Sequence, residues 1–62
     1  MTGTVTYYNY EKGYGFIEQD SGEGSIFFHA SNCNDIPARN MRVQYAIAEG
    51  RKGFQAVNIS II

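Results

Sequence analysis

Much of the usual equipment of an enzyme or a secreted scaffold is missing from this chain of 62 residues. There is one cysteine, Cys33, so neither an intramolecular disulfide nor a cysteine-based zinc site can form. The single histidine, His29, has no partner with which to build a metal centre, and no metal or cofactor is expected. No apolar run is long enough to cross a membrane. The opening Met1-Thr2-Gly3-Thr4 lacks a basic flank and an apolar stretch behind it, which predicts no signal peptide and a cytoplasmic protein. Charge of one sign is also lacking: five basic and six acidic residues give a net charge of −1. Duplex-DNA binders draw most of their affinity from phosphate neutralisation, and this balance does not fit them. No acid pair, no nucleophile–base set and no phosphate-cradling glycine loop followed by a helix is present, so an enzyme is not expected.

What the chain does have is rings. Five Tyr and four Phe occur with no Trp, and seven of these nine fall between Tyr7 and Phe28. A domain this small buries only ~60% of its unfolded surface. Some of the rings must therefore face solvent, and a cluster of exposed rings marks a binding surface.

The apolar pattern is that of strands, not helices. Thr2 to Asn9 is rich in Thr, Val and Tyr, which suit a half-buried pleat. Tyr14 to Gln19 alternates, with Tyr14, Phe16 and Glu18 on one face and Gly15, Ile17 and Gln19 on the other. Ser25 to Ala30 places Phe27 and His29 together, opposite Ile26 and Phe28. Met41 to Ala48 and Phe54 to Ile61 complete the set, and the long connection from Ser31 to Asn40 carries the only proline, Pro37, with at most one helical turn near Cys33. Glycine-rich turns separate the strands. Five short strands without a helix predict an all-β fold, a five-stranded antiparallel barrel formed by residues 1–62 as one domain, closure being the simplest way to avoid exposed edges. A small barrel has one interior. Ile17, Ile26, Phe28, Val43, Tyr45, Ile47, Val57 and Ile59 are expected to fill it, which leaves Tyr14, Phe16 and Phe27 on the outside.

Lys12-Gly13-Tyr14-Gly15-Phe16-Ile17 and Ile26-Phe27-Phe28-His29 resemble the two ribonucleoprotein motifs of the cold-shock domain family, in its bacterial type. Gly3-Thr4-Val5-Thr6-Tyr7-Tyr8-Asn9 is similar to that family's first strand, and Glu49-Gly50 with Gly53-Phe54-Gln55-Ala56-Val57-Asn58 to its last hairpin. The resemblance implies an oligonucleotide-binding barrel that takes single-stranded RNA or DNA and acts as an RNA chaperone. The residue chemistry suits this independently, because unpaired bases stack on aromatic faces. Tyr14, Phe16, Phe27 and His29 would form the platform. By resemblance, Tyr7 stands at the family's exposed tryptophan and Tyr8 at the neighbouring phenylalanine. Two-residue alternation cannot turn both outward without a bulge. Lys12 and Lys52, with Arg51, are expected to meet phosphates, and Gln55 corresponds to a position that hydrogen-bonds a base edge.

The chain also departs from the family's pattern. Ala30 stands where a stacking phenylalanine is usual, Thr6 replaces a lysine, and the loop 32–40 is short and lacks an aromatic. Phe54, where proline is common, could return a ring. These differences predict weaker, sequence-tolerant binding with a shallow salt dependence. They also motivate an alternative, a protein-interaction or self-associating barrel that has lost nucleic-acid binding. A monomer is expected under the first reading, and a stable dimer under the alternative.

Overall fold

β-branched and aromatic residues spaced by two organise five strands: β1 (Thr2–Asn9), β2 (Tyr14–Gln19), β3 (Ser25–His29), β4 (Arg42–Gly50) and β5 (Gly53–Ile61). The computed structural model describes residues 1–51 and 53–62. The strands form a closed barrel in the order β1-β2-β3-β5-β4. β1, β2 and β3 run as an antiparallel meander, and β4 and β5 as an antiparallel hairpin. β3 and β5 pair in parallel, with Phe27 opposite Gln55 and Phe28 opposite Ala56, so the barrel is mixed and not purely antiparallel. The expected helical turn occurs as a single 3-10 turn, Ala30–Asn32, entered directly from β3.

The interior is filled by Val5, Ile17, Ile26, Phe28, Val43, Tyr45, Ala56 and Ile59, joined by Tyr8. Gln19 is the one buried polar side chain among the described residues, and its Oε1 accepts a hydrogen bond from the Tyr45 hydroxyl at 3.1 Å. That pairing satisfies both groups where water is excluded. Gly15 has a packing reason. A Cβ there would run into the Tyr7 carbonyl oxygen and come within 2.8 Å of the Phe28 ring, so the β2 backbone lies directly against a core aromatic.

Two core expectations need correction. Val57 is only half-buried, and Ala56 points inward in its place, while Ile59 is buried as expected. The register between β4 and β5 slips between Gln44 and Ala46, and Asn58 takes a left-handed conformation with φ of 54°. That bulge inserts an extra residue and resets the alternation, so two inward side chains are three apart. Ile47 lies opposite Ala56 but is exposed, because the hairpin runs on past the barrel end there.

The β1–β4 seam carries an ion pair. Arg42 donates from both terminal nitrogens to the Asp20 carboxylate at 2.7 and 2.6 Å, and Thr2 donates a third hydrogen bond to the same group. The Arg42 bonds, then that from Thr2, hold the Asp20 carboxyl far below the ordinary carboxylate range. Because the folded-state value is depressed, the stabilisation is present above the unfolded value near ~3.9 and disappears as pH falls towards the folded value. Melting temperatures of the wild type and Asp20→Asn are therefore expected to differ at neutral pH, wild type higher, and the gap to narrow progressively as the pH is lowered from about 5 to about 2. A constant gap across that range would show that the ionised carboxylate contributes nothing.

Candidate functional site

β1 begins with regular alternation, Val5 in and Thr6 out, and then breaks it. Its register against β2 shifts between Val5 and Tyr7, so Thr6 and Tyr7 both face outward and Tyr8 turns in. The bulge that two-residue alternation required is present, but it exposes only one of the two tyrosines. Tyr8, expected on the binding face, is 8% exposed and stacks almost parallel on Phe28, with centroids 5.7 Å apart and planes at 9°. A ring this size fits inside because Gly15, opposite it on β2, has no side chain.

Outside the barrel, three strands bring four rings together. Tyr7 from β1 lies 5.9 Å from Tyr14 and 6.3 Å from Phe16, both on β2. Phe27 from β3 lies 6.0 Å from Tyr14 and 6.0 Å from Phe16. Register explains the contact, since Phe16 pairs with Tyr7 on one side and with Phe27 on the other. Phe16 and Phe27 are 37% and 38% exposed, and Tyr7 is 38% exposed, high values for large apolar rings held in mid-strand. The Tyr7 hydroxyl beside Tyr14 pushes that phenol above its ordinary value, so the Tyr14 hydroxyl stays protonated at neutral pH.

Polar groups rim this face. His29 pairs with Tyr14 in register, and its Nδ1 accepts from the backbone N–H of Ser31 at 3.1 Å. Nδ1 therefore carries no proton in the neutral ring, and Nε2 is the N–H donor. Lys12 is exposed in the turn before β2, where its backbone N–H donates to Asn9 Oδ1 at 2.9 Å. Asn9 also donates from its amide to the Tyr7 hydroxyl, tying that turn to the ring cluster. Gln55 is half-buried beside Phe27 across the parallel seam. Glu18 faces outward in line with Phe16 and accepts from the Ser25 hydroxyl at 3.2 Å, which puts an anion at the far end of the face.

Other expected members are not brought together. Phe54 is 68% exposed, but it shares its strand face with Ala56 and not with Gln55, and its ring pairs with none of the four. Lys52 lies outside the described residues. Ala30 is half-buried against the core and adds no ring beside Phe27 and His29. One basic residue joins the site without any signal in the sequence. Arg39, in the loop before β4, donates from Nε to the Thr6 carbonyl at 3.2 Å, next to the bulge that exposes Tyr7. Nothing in a non-periodic loop announces such a contact, which depends on the fold bringing residues 6 and 39 together.

Comparison with known proteins agrees with this architecture. The sequence pattern of the family described as "'Cold-shock' DNA-binding domain" matches residues 1–62. The chain is 44% identical over 63 aligned positions to the "Cold shock protein ScoF" of Streptomyces coelicolor, covering 95% of this chain and 94% of that one. It is 39% identical to the "Cold shock protein" of Arthrobacter globiformis, covering 97% and 96%. It is 36% identical to the "Cold shock protein CspV" of Vibrio cholerae, covering 95% and 90%.

Proposed function

This chain belongs to the cold-shock domain family, and on that premise we propose that it binds single-stranded RNA or DNA by stacking bases on Tyr7, Tyr14, Phe16 and Phe27. The observation that carries the reading is the four-ring cluster gathered from three strands, with Tyr7, Phe16 and Phe27 facing solvent and Tyr14 half-buried between them. Neighbouring centroids are 5.9 to 6.3 Å apart, well beyond the ~3.4 Å rise between stacked bases of one strand. Each ring therefore suits its own base in an unstacked, extended strand. A duplex, with its bases already stacked and paired, has no faces to offer.

Lys12 serves as a phosphate contact, the outward Nε2 of His29 as a donor to a base acceptor, and Gln55 as a base-edge contact beside Phe27. Phe54 supplies, at most, a base platform separate from the main four. Stacking is available to any base, so recognition is sequence-tolerant. The mechanism is RNA chaperoning without catalysis, in the cytoplasm: unpaired segments are held on the rings so that misfolded pairing does not re-form.

Fluorescence anisotropy of labelled heptathymidine, with a labelled duplex as control, tests the reading. Micromolar or tighter binding to the single strand and little to the duplex is expected. No single-strand binding at low salt would overturn it and direct attention to protein partners for the same face.

A further inference from the structure

We propose that Arg39 is a phosphate-contacting residue of the ring face, supplying from the loop before β4 a cation that β1 itself does not carry. The inference rests on the reading that this face takes single-stranded nucleic acid, and it adds a residue to that site.

The first argument is placement. Arg39 Nε donates to the Thr6 carbonyl at 3.2 Å, and Thr6 directly precedes Tyr7 in the bulge that turns both outward. The loop is pinned beside it. Asn40 N–H donates to the Val5 carbonyl at 2.6 Å, and Val5 N–H donates to the Met41 carbonyl at 3.0 Å. Asn40 makes this junction in a left-handed conformation, φ 71°, which asparagine tolerates better than most residues. The guanidinium is thus held from both ends, by its own Nε and by the backbone on which it is mounted.

The second argument is charge. The protein has five basic residues in all. Arg42 is committed to Asp20 through both terminal nitrogens. Arg39, in contrast, uses only Nε, and among the described residues its two terminal nitrogens have neither a hydrogen bond nor an ion pair. An exposed arginine anchored in this way presents a donor fork, the geometry that a phosphate accepts. Anchoring before the ligand arrives also removes part of the ordering cost that a free side chain would incur on binding.

Arg39 could instead serve only to hold the loop, and salt dependence separates the two roles. Heptathymidine anisotropy is measured for the wild type, Arg39→Gln and Arg39→Lys from about 50 to about 200 mM salt. Loss of one phosphate contact to a single strand lowers the log–log salt slope by about 0.7, equivalent to about five-fold weaker binding near 0.1 M salt. Arg39→Gln is expected to show both changes, and Arg39→Lys to recover the slope. A wild-type slope in Arg39→Gln overturns the proposal, whatever happens to its melting temperature. Should Arg39→Gln fail to fold, the Arg39 Nε–H resonance of the wild type decides: a shift on saturation with heptathymidine supports the contact, and no shift overturns it. A wild type that does not bind heptathymidine overturns the underlying reading. Binding with an unchanged slope in the variant overturns this proposal alone.

Discussion

Phe27→Ala is expected to weaken heptathymidine binding by about 5- to 150-fold, the range for a ring that supports one base at about 1–3 kcal/mol. Its thermal stability should change little. Phe27 is already 38% exposed, and its ring neighbours are other surface rings, Tyr14 and Phe16, so truncation opens no cavity. Phe16→Ala should behave alike, and the double variant should retain only residual binding at low salt. Phe54→Ala is the internal comparison, expected to lose much less because that ring stands outside the cluster. Melting curves and anisotropy on the same samples check both halves. Unfolding of Phe16→Ala or Phe27→Ala would assign the rings to the core and remove the platform.

The neighbouring substitution should do the reverse. Phe28 is fully buried and stacks on Tyr8 across the interior. Phe28→Ala is expected to cost about 3–5 kcal/mol through lost burial and the cavity left behind. A domain of 62 residues holds roughly 3–9 kcal/mol in total at roughly 0.05–0.15 per residue. The variant is therefore expected to lose from about a third of that stability to all of it, read as a melting temperature lowered by about 12–40 °C or as loss of the cooperative transition. Adjacent phenylalanines would then fail in different ways, one in binding and one in folding. That contrast follows from strand parity alone. A Phe28→Ala protein that melts within a few degrees of the wild type would show that the interior repacks far more readily than a close-packed barrel should.

Parity makes much of this legible in the sequence. The alternation through Tyr14 to Gln19 and Ser25 to His29 places each side chain on the face it occupies. It fails at bulges. Thr6–Tyr7 and Asn58 each reset the period, and neither has a glycine or proline to announce it. Simple alternation misplaces Tyr8 and Val57 for that reason, and it misplaces Ile47 because a strand can outrun the barrel it belongs to. Pairing across the chain is less legible still. Turns join β1 to β2 to β3, and β4 to β5, so local sequence specifies those contacts; nothing local announces that β3 and β5 run parallel. Arg39 beside Thr6 is of the same kind, a neighbour in space at a separation of 33 in the numbering.

The barrel is in effect two pieces, a meander and a hairpin, joined along two narrow seams. β1 meets β4 through the pairs Thr2–Gln44, Gly3–Val43 and Thr4–Arg42, and β3 meets β5 through Phe27–Gln55 and Phe28–Ala56. Each piece can assemble around its own short turns, but the seams join residues far apart in the chain and must bear the entropy of closing large loops. Closure is accordingly expected to be the late, slow event of folding, and parting of the seams the low-energy route to opening. Phe27 and Gln55 lie on opposite banks of one seam. A strand of nucleic acid laid across both would act as a clasp, so occupancy of the surface should slow the breathing of the whole barrel.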